Sequence, residues 1–284
     1  MKHSKVLVTG GCGFIGSNLV DYLREQEYEV IVVDNLSSGK REYCRRDVKY
    51  YFGDFQDVLT DGSLDNLGIE TVFHLAAEAR IQPSFEDPVY TCKNNSFGTI
   101  IVCEFARKNN CKIVYAGSSS YYGGVYLNPY SFAKWQGEEA CKMYSKVYGL
   151  STVIMRFFNV YGPRNPVIGQ YTPVVAIFKH QKETGVPLTI VGDGEQRRDF
   201  TYVGDICSGL ELASRDKWEA EEFNLGTGIN YSINELADMY EHEKTYIAAR
   251  PGEARSSLAD NSKTSELLGW APEQDLHEYI KSIL

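Results

Sequence analysis

Short apolar runs alternate with amphipathic stretches over the first half of the chain. The apolar runs are rich in Val, Ile, Leu, Phe and Tyr, which predicts buried parallel β-strands. They are Lys5–Thr9, Glu29–Asp34, Val48–Phe52, Thr71–Leu75, Lys112–Gly117 and Ser151–Phe157. Helical periodicity is clear between some of them, at Ile15–Arg24, Asn94–Lys108 and Tyr130–Tyr148. This order predicts repeated βα units that build a doubly wound parallel sheet.

The pattern loosens from Asn159 onward, where Pro and Gly separate shorter elements. Helices are predicted at Pro173–Thr184 and Asp205–Ser214, and near Thr264–Leu268 and Leu276–Leu284. We therefore predict an α/β protein in which residues 1–158 form a Rossmann-type domain with a doubly wound parallel sheet. Residues 159–284 form a smaller C-terminal substrate-binding lobe. The pattern leaves open that parts of this second region return to the sheet.

Composition narrows the class of protein. With 284 residues, of which 43% are hydrophobic, the chain can bury a sizeable core. A formal charge of −9 and the lack of a Lys/Arg cluster argue against nucleic acid as a partner. No apolar run is long enough to span a membrane, and a strand begins at Lys5, so the expected location is the cytoplasm. The seven cysteines lack the spacing of zinc sites, and no metal site is predicted.

A glycine-rich turn lies between the first strand and the first helix. The segment Gly10-Gly11-Cys12-Gly13-Phe14-Ile15-Gly16 follows Lys5–Thr9, the order that brings a pyrophosphate onto helix N-terminal amides. Gly10 makes the turn, Gly13 lets the backbone approach the phosphates, and Gly16 allows close packing of helix and sheet. The turn predicts a dinucleotide site.

Asp34, which ends the second predicted strand, refines the identity of that dinucleotide. It lies eighteen residues past Gly16, where a carboxylate accepts hydrogen bonds from the ribose hydroxyls and repels a 2′-phosphate. The sequence therefore favours NAD over NADP. Asp54, after the third strand, is placed to reach the adenine amino group or to form a turn, and the residues leave both readings open.

Tyr130 and Lys134 are four residues apart in a helical pattern, so they share one face of the helix. A tyrosine titrates near pH 10 and needs a neighbouring cation to serve as a base at neutral pH, a task that suits Lys134. The predicted strand Lys112–Gly117 runs into Ser118-Ser119-Ser120, and the carboxyl ends of strands border the ligand crevice of a doubly wound sheet. Alone, each feature also fits a solvated helix face or a polar turn.

Taken together, the motifs resemble the extended short-chain dehydrogenases/reductases, in particular the branch of nucleotide-sugar epimerases and dehydratases such as the 4-epimerases of UDP-glucose and UDP-N-acetylglucosamine. They include the glycine-rich turn, Asp34, His74-Leu75-Ala76-Ala77, Asn95-x-x-Gly98-Thr99, Tyr130-x-x-x-Lys134 and the run Arg156–Arg164. The resemblance continues through Gly192–Phe200 and Arg250–Glu253, so it covers nearly the whole chain.

The resemblance implies a role for individual residues. Ser118, Tyr130 and Lys134 would form the catalytic group. The nucleotide-sugar substrate would contact Ser84, Ser118, Asn159, Arg198, Arg250 and Ser257, and the arginines suit a diphosphate because each presents a planar fork of donors. NAD would contact Gly10, Gly13, Phe14, Ile15, Gly16, Asp34, Asn35, Asp54, Phe55, Leu75, Ala76, Ala77, Asn95, Tyr130, Lys134 and Phe157.

Ser119 and Ser120 stand where relatives that dehydrate or decarboxylate the sugar carry acids. Without an acid there, the resemblance implies epimerisation, at C4 of a UDP-hexose, through a transient keto sugar. The resemblance also implies a homodimer formed through two helices, which here would be Asn94–Lys108 and Tyr130–Tyr148.

Two segments near the sugar are shorter than in relatives: the six residues between Gly123 and Tyr130, and the stretch before Arg250. Two alternatives therefore stay open. One is a nucleotide-sugar dehydratase or reductase that uses the same Tyr130 and Lys134. The other is a protein that binds NAD and a nucleotide sugar with weak turnover or none.

Overall fold

Alternating side chains along the first strand show how the two faces of the central sheet are buried. The computed structural model describes residues 4–166, 172–249, 252 and 254–284. Val6 and Val8 contact one hydrophobic cluster and Leu7 contacts another, on opposite sides of the sheet. A strand that is apolar on both faces needs helices on both sides. The sequence pattern therefore sets up a three-layer α/β arrangement.

The strands of the described residues are β1 Lys5–Thr9, β2 Glu29–Asp34, β3 Lys49–Phe52, β4 Thr71–His74, β5 Lys112–Ser118, β6 Thr152–Phe157, β7 Val160–Tyr161, β8 Leu188–Val191, β9 Arg197–Asp199, β10 Thr201–Tyr202, β11 Glu219–Leu225, β12 Asn230–Ser232 and β13 Lys244–Ile247. The helices are α1 Phe14–Glu25, α2 Phe55–Val58, α3 Ile81–Glu86, α4 Pro88–Cys92, α5 Gly98–Asn109, α6 Ser120–Gly123, α7 Pro129–Tyr148, α8 Val174–Thr184, α9 Val203–Arg215, α10 Ile233–Asp238, α11 Ser262–Leu268 and α12 Leu276–Ile283.

Seven parallel strands form the central sheet in the order β11-β6-β5-β4-β1-β2-β3. The order reverses between β1 and β4, and the carboxyl ends of strands at such a point form the ligand crevice of this fold. The predicted fold class is confirmed, and the six predicted strands agree with β1–β6. The seventh strand, β11, comes from the later part of the chain and was not predicted.

Helices α1 and α9 cover one face of the sheet, where Leu19, Leu23 and Leu210 are buried. Helices α5 and α7 cover the other face through residues such as Val102 and Tyr144. The predicted helix Asn94–Lys108 begins within a π-helical stretch, Lys93–Phe97, that connects α4 to α5.

The C-terminal lobe has its own hydrophobic cluster, in which Phe178, Ile190 and Tyr240 are fully buried. Three two-stranded sheets, β7–β10, β9–β12 and β8–β13, frame this lobe. No helix of the described residues is long and apolar enough to cross a membrane. The lobe lies against the carboxyl ends of the central strands, and a cavity of about 560 Å³ is lined by residues of both.

Candidate active site

The glycine-rich turn between β1 and α1 forms the floor of one end of this cavity. Gly10 has a φ of +74°, and a Cβ on it would lie 2.8 Å from the Ala76 amide nitrogen. A Cβ on Gly16 would lie 2.0 Å from the Gly10 carbonyl oxygen. Both positions therefore require glycine, as the sequence predicted. The turn leaves Gly13 and Phe14, at the start of α1, on the cavity wall.

Asp34 is fixed beside this turn by two backbone hydrogen bonds. Its Oδ2 accepts from the Cys12 N–H at 2.8 Å, and its Oδ1 accepts from the Leu36 N–H at 2.7 Å. The carboxylate is buried, yet Asp34 still lines the cavity. A carboxylate held rigidly at the end of β2 is preorganised for ribose hydroxyls.

The turn after β4 is held by a buried histidine. His74 Nδ1 lies 2.8 Å from the Thr9 hydroxyl, and Nε2 lies 3.4 Å from the Thr99 hydroxyl. Burial lowers the pKa of His74 to about 3, and the charge of Lys134 adds to the effect, so the ring is neutral. The Thr9 hydroxyl also accepts from the Ala76 N–H at 3.3 Å. This network places Leu75, Ala76 and Ala77 on the cavity wall.

Tyr130 lies in the first turn of α7. Asn128 caps this helix by accepting from the Ser131 N–H at 2.8 Å, and Pro129 occupies its first position, where a missing N–H costs nothing. Burial raises the pKa of Tyr130, while a hydrogen bond with Ser118 and the charge of Arg80 partly offset that rise. Tyr130 and Ser118 therefore meet at the end of β5, as predicted.

Lys134 lies one turn further along α7 and is buried. Its Nζ donates to the Ala116 carbonyl oxygen at 2.8 Å, and burial lowers its pKa to about 8. That Lys134 lowers the pKa of Tyr130 stays a prediction. The ammonium is turned toward the backbone of β5, and Ser118 and Arg80 are the groups that lower the pKa of Tyr130.

Three predicted contact residues lie behind the cavity wall rather than on it. Ser84 is fully buried: its hydroxyl donates to the Ile81 carbonyl oxygen at 2.6 Å and accepts from the Tyr130 N–H at 3.1 Å. The hydrogen bond from the Tyr130 N–H gives Ser84 a part in positioning Tyr130, and its predicted contact with the substrate stays a prediction.

Asn95 and Asp54 also support the wall from behind. The Asn95 side chain accepts from the Glu78 N–H and donates to the Glu78 carbonyl oxygen, both at 2.8 Å, which fixes the turn after β4. Asp54 caps α2 by accepting from the Gln56 N–H at 2.9 Å, which is the turn-forming reading of this residue. Neither side chain lines the cavity, and their predicted contacts with NAD stay predictions.

The remaining predicted residues of the described chain line the cavity. The cofactor set includes Ile15, Asn35, Phe55 and Phe157, and the substrate set includes Asn159, Arg198 and Ser257. Asn159 Nδ2 donates to the Asp199 carbonyl oxygen at 2.9 Å and to the Ser257 hydroxyl at 3.2 Å, so it joins two segments of the lobe. Arg198 Nη1 donates to the Arg197 carbonyl oxygen at 2.9 Å. Arg250 lies outside the described residues.

Charged residues that the sequence analysis did not assign also line the cavity: Lys40, Glu78, Arg80 and Arg164. Glu78 and Arg80 lie in the segment between β4 and α3, so the rule that ligands bind at carboxyl ends of strands could have found them. Lys40 comes from an irregular segment, and nothing in its local sequence signals the cavity, whereas Arg164 ends the run Arg156–Arg164 that carries part of the family resemblance. Arg164 pairs with Asp21 of α1 at 2.5 Å.

The geometry fits a dinucleotide. The cavity runs from the glycine turn and Asp34 at one end to Ser118, Tyr130 and Lys134 at the other, and then into the lobe at Asn159. A glycine turn without side chains, amides at a helix start and a fixed carboxylate are what a pyrophosphate and an adenosine ribose require. At the other end of the cavity, Tyr130 would lie beside the nicotinamide of such a ligand, where its hydroxyl could transfer a proton.

Comparisons with known proteins agree with this geometry. The model of the NAD-dependent epimerase/dehydratase family matches residues 6–226. The UDP-glucose 4-epimerase of Mycolicibacterium smegmatis is 34% identical over 303 residues, which cover 97% of this chain and 96% of that protein.

Solved structures agree as well. The UDP-glucose 4-epimerase of Thermotoga maritima, determined with UDP-glucose, is 36% identical with a TM-score of 0.91, over 98% of this chain and 96% of that one. The UDP-N-acetylglucosamine 4-epimerase of Methanobrevibacter ruminantium, in complex with UDP-N-acetylmuramic acid, is 32% identical with a TM-score of 0.89. The match covers 100% of this chain and 96% of that one. These findings confirm the predicted fold and NAD as the cofactor. Most of its length matches the family model, so the chain belongs to the NAD-dependent epimerase/dehydratase family.

Proposed function

We propose that this chain is an isomerase that inverts C4 of a nucleotide-diphosphate sugar, a UDP-hexose by preference, with NAD as its cofactor. The observation that carries the proposal is the meeting of Tyr130 and Ser118 at the carboxyl end of β5, in the cavity that also holds the glycine turn and Asp34. The similar proteins named above, which are UDP-sugar 4-epimerases, support it.

The chemistry follows from the position of each group. Bound NAD would supply the hydride acceptor and donor. Tyr130 would take the proton of the sugar 4-hydroxyl and later return it, and Ser118 would donate a hydrogen bond to the reacting oxygen. Lys134 would favour the phenolate once its ammonium faces the ligand. A 4-keto sugar that turns over in the cavity before it is reduced again emerges with inverted C4.

The substrate lobe would hold the nucleotide through Asn159, Arg198 and Arg250. Asn159 and Arg198 lie on the cavity wall beyond Tyr130. We also propose that residues 1–158 bind NAD and residues 159–284 mainly bind the sugar nucleotide, with β11 as the segment that returns to the sheet. The cytoplasmic location stays a prediction.

A homodimer is the assembly that we propose. The outer surfaces of α5, α7 and the π-helical stretch before α5 carry exposed apolar side chains: Phe97, Ile100, Met143, Val147 and Tyr148. Exposed apolar side chains on two neighbouring helices favour contact with a second copy. Sedimentation velocity measures this directly.

A dehydratase is the second candidate, because Glu78 puts a carboxylate on the cavity wall. Incubation of the purified protein with UDP-, dTDP- and GDP-hexoses, followed by NMR of the products, separates the two. A 4-epimer that forms from either direction supports the proposal. A deoxy-keto sugar as the only product would establish the dehydratase, and no product from any of these sugars would favour a binding protein.

Asp34 should decide the choice of dinucleotide. We expect Asp34→Asn to weaken NAD by about 1–3 kcal/mol, the scale of hydrogen bonds to a charged group, and to reduce the preference for NAD over NADP, because the amide keeps an acceptor but no longer repels a 2′-phosphate. Calorimetry of both dinucleotides measures this. Asp57→Asn, which changes an exposed carboxylate of α2, is the matched control and should leave the affinity nearly unchanged. Equal wild-type affinity for the two dinucleotides would refute the assignment.

Ser257 is the proposed gate for a substituent at C2 of the sugar. It lines the cavity beside Asn159, and a small side chain there leaves room for an N-acetyl group. We expect Ser257→Tyr to suppress epimerisation of UDP-N-acetylglucosamine far more than that of UDP-glucose, because overpacking costs about 1–3 kcal/mol. Values of kcat/KM for both sugars test this. Ser256→Tyr, at the exposed neighbouring position, is the control, and an equal loss on both sugars would show that Ser257 is not the gate.

A further inference from the structure

Two cysteines meet beneath the adenosine end of the cavity. Cys12 is the third residue of the glycine-rich turn and is buried, whereas Cys44 follows the 3₁₀ turn Arg41–Tyr43 and is half-buried. Their Sγ atoms lie 3.5 Å apart. A disulfide has an S–S length of about 2.05 Å, so the two sulfur atoms need to approach each other by roughly 1.5 Å.

The segment that carries Cys44 is already docked on the turn that carries Cys12. The Lys40 N–H donates to the Cys12 carbonyl oxygen at 3.0 Å. Gly39 packs so closely that a Cβ on it would lie 2.8 Å from the same carbonyl oxygen. Closing the remaining gap between the sulfurs therefore requires a local shift of the Cys44 turn rather than a rearrangement of the sheet.

We propose that Cys12 and Cys44 are a dithiol that a low-molecular-weight disulfide oxidises to an intramolecular disulfide, and that this cross-link clamps the adenosine end of the NAD site. Cys44 reacts first because it is the more accessible of the two: its thiolate attacks one sulfur of the small disulfide and releases one thiol. The deprotonated Cys12 sulfur then attacks Cys44 Sγ and releases the second thiol. Two protein thiols are thus oxidised, and one small disulfide is reduced to two thiols.

The surroundings of Cys12 set the pace of the second step. Burial, and secondly the nearby Asp34 carboxylate, raise the pKa of the Cys12 thiol. Only a small fraction of Cys12 is a thiolate at neutral pH, so resolution of the mixed disulfide on Cys44 is the slow step. The step should accelerate as the pH rises.

The cross-link would slow the exchange of NAD, because Cys12 and the segment before Cys44 both border the adenosine end of the cavity. The Cys12 N–H donates to Asp34 Oδ2 at 2.8 Å, the carboxylate assigned to the adenosine ribose. Lys40 and Tyr43, from the segment that ends at Cys44, line the cavity at this end. A disulfide would hold this segment against the glycine turn, so the segment could no longer move aside to let the adenosine half pass.

Cys103 and Cys141 provide an internal comparison. Their thiols also interact, but both lie in the cluster between the sheet and helices α5 and α7, and both are buried. A small disulfide reaches neither of them. Cys92 is half-buried, like Cys44. Because no other cysteine of the described residues interacts with it, we expect its reaction to stop at a mixed disulfide.

The experiment treats the full chain with oxidised glutathione and maps the products by mass spectrometry. Trypsin cuts after Lys5, Arg24, Arg41 and Arg45, so the disulfide joins peptide Val6–Arg24 to peptide Glu42–Arg45. We expect this cross-linked pair in the wild-type protein and in Cys92→Ser. In Cys12→Ser the reaction should stop at glutathione on Cys44, and in Cys44→Ser the pair should be absent.

The second readout is the exchange of bound radiolabelled NAD against unlabelled NAD. The exchange rate should fall about tenfold on oxidation of the wild-type protein, return on reduction, and stay unchanged in oxidised Cys44→Ser. A mixed disulfide on wild-type Cys44 that persists even when the pH is raised, or a cross-link between other cysteines, would overturn the dithiol assignment. A Cys12–Cys44 disulfide that leaves NAD exchange unchanged would overturn the clamp. Neither outcome depends on which sugar the protein acts on.

Discussion

Replacing Tyr130 by phenylalanine is expected to lower kcat by about 10²–10⁴-fold, the usual contribution of a positioned acid–base group, while NAD still binds. The substitution removes only the hydroxyl that meets Ser118, and the ring keeps its packing at the start of α7. Steady-state epimerisation of the UDP-hexose found in the NMR screen measures kcat. Calorimetry of the same variant measures NAD affinity.

Lys134 gives the contrasting variant. Lys134→Ala removes a buried cation that donates to the Ala116 carbonyl oxygen, so it should damage NAD binding as well as turnover. Tyr121→Phe serves as the control for tyrosine removal near the site, and we expect it to retain most activity. If Tyr130→Phe kept more than about a tenth of the wild-type kcat, Tyr130 would not be the proton-transferring group.

Glu138→Gln is expected to lower the free energy of unfolding by about 3–5 kcal/mol, because it leaves a buried guanidinium without its main partner. Glu138 and Arg156 are both almost fully buried, and Arg156 Nη2 lies 2.6 Å from Glu138 Oε2. Glu222, 3.2 Å from the same nitrogen, compensates in part, so the lower end of that range is expected. Urea denaturation measures the loss.

Two further variants separate charge from packing. Glu139→Gln, on the exposed side of the same helix, should change stability by no more than about 1 kcal/mol. The double variant Glu138→Leu with Arg156→Met should recover much of the loss, since apolar residues of similar volume commonly replace a buried ion pair without penalty. If the double variant were as unstable as Glu138→Gln, shape rather than the unpaired charge would dominate.

This ion pair also bears on the active site. The Arg156 guanidinium lies 3.7 Å from the centre of the Tyr121 ring and donates to the Tyr122 hydroxyl at 3.2 Å. Both tyrosines belong to α6, which begins two residues after Ser118. Loss of the Glu138–Arg156 ion pair should therefore make the turn at Ser118–Ser120 less ordered, in addition to destabilising the sheet.

The strands that were predicted from the sequence share a physical property. Each of β1–β6 except β3 is mostly buried, so its apolar run is visible without an alignment. The missed strand β11 lies at the edge of the sheet and reads Glu-Ala-Glu-Glu-Phe-Asn-Leu, with much of it only partly buried. A bulge at Glu219 and Glu221, where Ala220 has a φ of +61°, interrupts its alternation. An edge strand with charged residues has no clear sequence signature.

The parts of the site that could be predicted are those in which a recognisable residue type stands at the carboxyl end of a predicted strand. The glycine turn, Asp34 and the ends of β4 and β5 follow from strand order, because carboxyl ends of parallel strands meet at one crevice. The direction of a side chain does not follow from strand order, and the structure shows Ser84 and Asn95 buried and accepting hydrogen bonds from the backbone of neighbouring turns. Arg80 was not assigned from the sequence, yet its charge lowers the pKa of Tyr130. This effect depends on the position of α7 relative to the turn after β4, which the sequence alone does not give.

The position of β11 has a consequence for how the chain matures during synthesis. A nascent chain that ends near Phe158 contains six of the seven strands of the central sheet. It leaves one edge of β6 unpaired, because β11 has not yet been made. It also lacks α9, whose Ile206 and Leu210 pack on the same face of the sheet as Leu19. Open edges and bare apolar faces attract other chains. About seventy further residues must therefore be made before β11 can pair with β6, and until then the open edge of β6 is available to other chains.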